Sequence, residues 1–212
     1  MIVSRPGSAL LGAALLLAVA CGPAWRRIEP AGAGFTVQMP ANTDCDLRDW
    51  KSVTAKATWL SRTCSAEAEP LVSWLRFATS TYIHYGISWT AVPEGLEQAS
   101  LETVLAEFEA PEVESRSPII AAGQRWSETE GKEKYGLDYR TSAAPLGGVP
   151  GLHRDGVPAG TIRVEGFVYR ERLALRRGRL YRLTVDGEGG PRLDGIWNRM
   201  LASFRFVEAP RT

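Results

Sequence analysis

The chain has 212 residues, a formal net charge of +1, 44% hydrophobic residues and 23% charged residues. These values are typical of a globular protein, and they exclude a disordered chain, a collagen-like repeat and a nucleic-acid binder that relies on bulk positive charge. Three cysteines are too few for a disulfide-dense scaffold, and the length allows one domain with extensions.

The first twenty residues have the composition of a secretory leader. Arg5 is their only charged residue, and Ala9 begins a run of twelve small or apolar residues that ends at Ala20. That run is shorter than the roughly 20 residues that a membrane-spanning helix needs. Cys21 follows Ala20 directly, and Gly22 comes next. An ordinary cleaved leader with a chance cysteine is the alternative interpretation.

The segment resembles a bacterial lipoprotein signal, in which small residues precede an invariant cysteine, although Ala18 stands where the family usually has leucine. The resemblance implies that residues 1–20 are removed and that Cys21 carries lipid, with palmitate-type acyl chains. Two or more such chains give stable anchoring, so the membrane would be a partner through lipid. Gly22 in place of aspartate favours the outer membrane in a cell that has one.

Loss of Arg5 with the leader would leave 24 acidic residues balanced by the remaining basic ones, so nothing indicates capture of an acidic polymer or nucleic acid. The other two cysteines, Cys45 and Cys64, form an even pair in an exported chain, which predicts a disulfide. Closing this loop of about 20 residues would contribute on the order of 3 kcal/mol. A metal or redox pair is the competing interpretation, but the spacing is not Cys-x-x-Cys and no histidine lies nearby.

Proline and glycine in residues 21–33 predict a flexible tether. Alternation of apolar and polar residues then predicts strands, and a turn-rich stretch is expected after the first of them. The strands are expected over 34–40, 54–61, 71–77 and 82–89, with the turn-rich stretch over 42–49.

Helical spacing predicts a helix from Ser100 to Phe108, which Pro111 would end. A strand pair is expected over 124–129 and 134–141. Three prolines and five glycines in 143–160 predict a long irregular loop.

Residues 161–175 predict a strand whose two apolar sets fall out of phase. Either a β-bulge near Glu165 and Gly166 restores one face, or the two sets face different layers. Arg176–Arg179 predicts a hairpin turn into the next strand, and Asp194 is expected to cap a second helix. Phe204 and Phe206 are expected to begin a short closing strand.

The opening strand Gly34–Pro40, the strand Arg179–Val185 and the closing Asn198–Phe206 together resemble the PsbP-like superfamily, which includes LpqN-type mycobacterial lipoproteins. The resemblance implies an α+β fold: one domain over residues 34–208, built as an α/β/α sandwich around a central, mainly antiparallel sheet. It implies binding or assembly of larger complexes rather than catalysis, and it transfers no catalytic residue.

Candidate chemistry is sparse. His84 is expected on a polar strand face and His153 in the loop, and neither has a cysteine or histidine at metal-ligand spacing. The aspartates of 44–49 lack the glycine and distal glutamate of a calcium loop. No catalytic residue, metal site or cofactor is therefore predicted. An acidic cluster is expected on an exposed hairpin, a basic patch on a solvated sheet edge with an anionic partner as the alternative, and five tryptophans in the core. These sets are Glu128, Glu130 and Glu133; Arg170, Arg172, Arg176, Arg177, Arg179 and Arg182; and Trp59, Trp74, Trp89, Trp126 and Trp197.

Three functional hypotheses follow. The first is a non-catalytic, membrane-anchored envelope lipoprotein that binds a partner protein or supports assembly of an envelope complex. The second is a carrier of a small hydrophobic or glycan ligand, held in an aromatic groove under the 143–160 loop. The third is a hydrolase whose catalytic residues do not match a known motif.

Overall fold

The structure is a computed structural model, and it describes residues 24–68, 83–110, 112–115, 137–158 and 166–208. Within these ranges the chain forms eleven strands and two helices. The strands are β1 (Trp25–Ile28), β2 (Phe35–Pro40), β3 (Asp44–Thr54), β4 (Thr58–Ala68), β5 (Ile83–Ala91), β6 (Glu112–Ser115), β7 (Leu137–Ala143), β8 (Gly151–Pro158), β9 (Phe167–Arg176), β10 (Arg179–Glu188) and β11 (Arg205–Phe206). The helices are α1 (Leu101–Phe108) and α2 (Pro191–Ser203).

Two antiparallel sheets make up the described fold. The larger has eight strands in the order β6-β3-β4-β5-β10-β9-β8-β7, and the smaller has three in the order β1-β2-β11. The expected mainly antiparallel sheet is thus present. The fold is sheet-rich rather than a clear α/β/α sandwich, because the small sheet shares one face of the large sheet with α2.

The large sheet buries both of its faces. Odd-numbered residues of β10, such as Leu183, pack with α2 and β2 in the larger apolar core. Even-numbered residues, such as Leu180, pack with Val104 and Phe108 of α1 in a second core. Each helix therefore covers a different face, and the face under α1 is called here the α1 face.

Several expected boundaries are wrong for a physical reason. The region 54–61 is not one strand, because residues 55–57 turn the chain between β3 and β4. The turn was missed because it contains neither glycine nor proline. The stretch 42–49 expected to be turn-rich begins in a turn at Asn42, but from Asp44 onward it forms the first half of β3, which is largely exposed.

The expected loop over 143–160 is also wrong in part, because β8 occupies eight of these residues and pairs with both β7 and β9. Gly151 explains why a glycine-rich stretch forms a strand here. A Cβ at Gly151 would lie 2.1 Å from the carbonyl oxygen of Leu173 on the neighbouring strand, so only glycine fits this close backbone approach.

The expected opening strand, the strand at 82–89, the helix at 100–108 and the hairpin at 176–179 are confirmed with small shifts in their bounds. Ser100 caps α1 by accepting a hydrogen bond from the backbone N–H of Thr103. Asp194 does not cap α2. The helix begins at Pro191 after Gly190, and Pro at the first turn needs no intrahelical donor.

Other expected elements fall outside the described residues. The strands at 71–77 and 124–129 do so entirely, as do residues 161–165 of the expected strand before β9. Gly166, at the beginning of the described stretch, has φ 76°, a conformation suited to glycine.

The described fold starts at one end of the sheets. Trp25 pairs with Pro40, and the backbone N–H of Ala41 donates to the carbonyl of Ala24. The turn between β1 and β2, which contains Gly34, lies at the opposite end, beside Arg179. Residues 25–28 of the expected tether therefore belong to the fold.

Candidate functional site

The cysteines predicted to be functional lie in two different parts of the chain. Cys21 lies outside the described residues. Cys45 and Cys64 are joined by a disulfide, with Cα atoms 3.9 Å apart. They are directly opposite each other on β3 and β4, and Cys64 is fully buried in the larger core. The disulfide therefore links β3 to β4 at the side of the sheet that faces that core.

The two histidines sit on strands. His84 lies on β5, with Nε2 3.7 Å from a carboxylate oxygen of Glu67. His153 was expected in a loop but lies on β8. Its Nδ1 lies 2.9 Å from the backbone oxygen of Glu171, its Nε2 lies 2.9 Å from Asp155, and its ring stacks on Trp197. Because both ring nitrogens face acceptors within the fold, the structure gives His153 a structural environment.

All three of the candidate tryptophans that the structure describes are core residues. Trp59, Trp89 and Trp197 are nearly or fully buried, so they pack between layers and do not line a groove. Trp74 and Trp126 lie outside the described residues, as do Glu128, Glu130 and Glu133. Within the described ranges, no group of three histidine, cysteine or acidic side chains is arranged to hold a metal ion. No helix in those ranges is long and apolar enough to cross a membrane.

The expected basic patch on a solvated edge is wrong, since β9 and β10 lie inside the large sheet and divide its arginines between two faces. Arg170 and Arg172 point away from the α1 face to the opposite face, which α2 covers, and there Arg170 donates to Asp194 at 2.6 Å. Arg182 points to the α1 face and is 1% exposed. Only the arginines at the hairpin, Arg176, Arg177 and Arg179, remain together.

A buried charge cluster lies on the α1 face, and sequence reasoning missed it. Arg182 donates to Glu171 Oε2 at 2.8 Å, and both side chains are almost completely buried. Arg154 lies 3.2 Å from the other oxygen of Glu171 and donates to Glu109 at 2.8 Å. Tyr169 also donates to Glu171. Two carboxylates and two guanidiniums thus neutralise each other across β8, β9, β10 and the end of α1.

The electrostatics of this cluster follow from burial and pairing. Burial by itself raises the pKa of Glu171, but the charges of Arg182 and Arg154 outweigh it, so the net pKa lies below its usual value. Burial raises the pKa of Glu109, which Arg154 only partly offsets. Burial also raises the pKa of Tyr169 well above its usual value, and the Glu171 charge adds to this effect. The ring of Phe108 lies 5.3 Å from the Arg182 guanidinium, so the cluster also holds α1 in place.

One sequence signal could have revealed the cluster. Glu171 occupies an odd position in β9, between Tyr169 and Leu173 on the apolar face. A charge at such a position must be paired when buried, and Arg182 across the hairpin was the nearest available cation. Glu109 and Arg154 could not be found this way, because they approach from distant parts of the sequence.

A second group of titratable side chains lies toward the other end of the α1 face. Glu67, His84 and Asp186 follow one another in register on β4, β5 and β10, and Tyr169 is opposite Asp186 on β9. Burial raises the pKa of Asp186 to about 7, and the charge of Glu67 adds to the shift. Asp186 is therefore protonated below about pH 7 in the folded chain.

This shift predicts a pH dependence of stability. A folded pKa above the unfolded value means that the folded state binds the proton more tightly. The contribution of Asp186 to stability is therefore fully present below about pH 4 and is lost as pH rises through 7. We expect Asp186→Asn to raise the free energy of unfolding at pH 8 by about 2 kcal/mol, and to change it little at pH 4. Urea unfolding at both pH values measures this.

The exposed carboxylate Glu94 provides the control. Glu94→Gln should leave the pH profile of stability like that of the wild type. An Asp186→Asn variant whose stability falls between pH 4 and 8 as much as the wild type's would show that Asp186 does not cause the dependence.

A surface cavity of about 540 Å³ lies at the hairpin end of the sheets. It is called here the hairpin pocket, and its walls are the β9–β10 hairpin, the β1–β2 turn and the chain after β11. Tyr181 donates to the carbonyl of Ala33 at 2.9 Å beneath it. Gly34 has φ 77° in the turn, and a Cβ there would lie 3.3 Å from the Tyr181 hydroxyl. The lining residues are Glu29, Pro30, Ala31, Gly32, Gly34, Arg176, Arg177, Arg179, Tyr181, Val207 and Glu208.

The fold and these sites define a sheet-rich, antiparallel α+β domain with a disulfide, a buried charge cluster and a basic surface pocket. No protein-family model matches the chain, and no curated protein matches it.

Two solved structures are similar to it over most of their length. One is cyanobacterial PsbP (CyanoP) from Synechocystis sp. PCC 6803, with 10% identity and a TM-score of 0.43, covering 89% of this chain and 95% of that one. The other is LpqN of Mycobacterium tuberculosis, described as involved in cell envelope biogenesis, with 12% identity and a TM-score of 0.42, covering 87% and 91%. Both are proteins of the group that the strand and helix motifs at the two ends of this chain resemble.

Proposed function

We propose that the chain is a non-catalytic lipoprotein of the cell envelope, anchored through Cys21, which binds a partner protein or supports assembly of an envelope complex. The observation that carries the proposal is the Cys45–Cys64 disulfide, because such bonds persist outside the reducing cytoplasm. It agrees with the predicted export leader and with the cysteine that follows Ala20.

The buried charges support a structural role over a catalytic one. Glu171, Arg182 and Arg154 engage one another on the α1 face, and Glu109 completes the cluster. A catalytic acid or base needs access to substrate, whereas these groups are enclosed by strands and by α1. Their charges therefore compensate one another inside the fold.

The anchor predicts a specific labelling result. Cells that express the full chain with radiolabelled palmitate should label the wild type, and the label should be lost from Cys21→Ser, because the thioether forms only on that sulfur. Capture of crosslinked partners from the labelled cells should recover a discrete envelope protein with the wild type and much less of it with Cys21→Ser, since that variant lacks the acyl chains that anchor the wild type.

The double variant Cys45→Ser/Cys64→Ser is the matched control, and it should keep its label because Cys21 is intact. Equal labelling of wild type and Cys21→Ser would contradict the lipid anchor. A labelled chain with no partner, but with turnover of a small substrate, would contradict the non-catalytic role.

A further inference from the structure

We propose that the hairpin pocket binds a small zwitterionic phosphate compound, with the phosphate against its arginines and an ammonium group toward its carboxylates. The inference goes beyond the envelope role and holds whether or not Cys21 carries lipid. The cavity of about 540 Å³ is within the size range of small-molecule sites, and all its lining residues belong to the described fold.

Arg177 occupies a backbone position that usually selects another residue. It has φ 50° and is followed by Gly178 with φ 67°, so both central residues of the two-residue turn are left-handed. Such turns strongly prefer asparagine, aspartate or glycine at the first of these positions, because other side chains are disfavoured there. An exposed arginine at this position points to a use for its charge.

The other two arginines are held in place by contacts within the fold. The guanidinium of Arg176 lies 4.6 Å from the ring of Phe206, and Arg179 donates to the carbonyl of Gly32. These contacts fix each guanidinium and leave further N–H groups for a ligand, since each guanidinium has five. Held guanidiniums lose little freedom when they bind a phosphate, and they match its oxygens in pairs.

The pocket also has a negative part, which limits the kind of anion it can hold. Glu29 and Glu208 line it and are exposed, and Glu29 also accepts a hydrogen bond from Arg27 at 3.1 Å. A simple dianion such as inorganic phosphate would gain from three arginines but would be repelled by these two carboxylates. A ligand with both a phosphate and an ammonium group satisfies both sets of charges, and charge complementarity of this kind decides specificity.

Free phosphoethanolamine is the probe that tests the proposal, by calorimetric titration of the full chain. We expect saturable binding that weakens as salt is added, because the contacts are ionic. Inorganic phosphate and ethanolamine should each bind at least about tenfold more weakly than phosphoethanolamine, since each meets only one set of charges. Arg177→Asn removes the cation while suiting the left-handed turn, so it should fold normally and weaken binding by about tenfold.

Arg140→Asn is the matched control, because Arg140 is exposed on β7, far from the hairpin along the sheet order. It should bind phosphoethanolamine like the wild type. Failure of the folded wild type to bind, equal binding by Arg177→Asn, or inorganic phosphate binding as tightly as phosphoethanolamine would each overturn the proposal.

Vesicles distinguish the two sources of this chemistry. Sedimentation with phosphatidylethanolamine vesicles that is lost in Arg177→Asn would assign a lipid headgroup. Binding of free phosphoethanolamine without sedimentation would assign a dissolved small molecule. Either result supports the pocket. Neither depends on palmitate labelling, so the binding experiment can fail or succeed independently of the test of the proposed anchor.

Discussion

Glu171→Ala should lower the free energy of unfolding by about 3–5 kcal/mol, because it leaves Arg182 buried without its main counter-charge. Arg154 would also lose one of its two carboxylate neighbours. The balance of two positive and two negative charges in the buried charge cluster would become a net positive charge enclosed by the sheet and α1. Urea or thermal unfolding at neutral pH measures the loss.

Neutralising the pair together should cost much less than removing Glu171 alone. In Glu171→Gln/Arg182→Met both charges are gone, so no uncompensated ion remains buried, and stability should return to within about 1–2 kcal/mol of the wild type. Lys56→Ala is the surface control. Lys56 is largely exposed in its ion pair with Glu107, so its loss should cost about 1 kcal/mol or less. If Glu171→Ala were no more costly than Lys56→Ala, Glu171 would not be the counter-charge that compensates the buried Arg182.

Loss of the disulfide should give the second large effect. Cys45→Ser/Cys64→Ser should lower the free energy of unfolding by about 2–4 kcal/mol, because the bond closes a loop across a sequence separation of 19 and restricts the unfolded chain. Serine at position 64 would also place a hydroxyl in the apolar core beside Ile87.

Cys45→Ala/Cys64→Ala separates these two causes, since alanine adds no polar group. This variant should still lose most of the free energy of unfolding that the cross-link contributes. Reduction of the wild type should cause a loss of similar size, whereas reduction of the double variants should change nothing. A reduced wild type as stable as the oxidised one would rule out the bond as a source of stability.

The sequence predicted those elements whose signal is local. Alternation placed β2 and β5, the Ser100 cap placed α1, and Arg177-Gly178 placed the β9–β10 hairpin. The turn at 55–57 was not predicted, because Ala, Lys and Ala carry no turn preference. The strand β8 was not predicted, because its glycine content is typical of a loop. Gly151 is in fact required by the close approach of β9.

The sites were less predictable than the fold, because they depend on contacts between distant residues. The disulfide followed from cysteine count and compartment alone. The six arginines were predicted to form one exposed patch, because periodicity alone did not show that Arg182 turns inward to Glu171 while Arg177 stays outside. The hairpin pocket needs Glu29 and Glu208, which lie near the beginning and at the end of the described sequence. No spacing rule brings such residues together.

The direction of the strands has a further consequence for orientation. Ala24 lies beside Ala41 at one end of the sheets, and Arg179 begins β10 at the other, so the ten residues of β10 separate them by roughly 33 Å. A fatty-acylated Cys21, only three positions before Ala24, would keep the first end against the bilayer. The arginine hairpin would then point outward into the aqueous space, and it would meet dissolved molecules or an opposing surface before the lipids of its own leaflet.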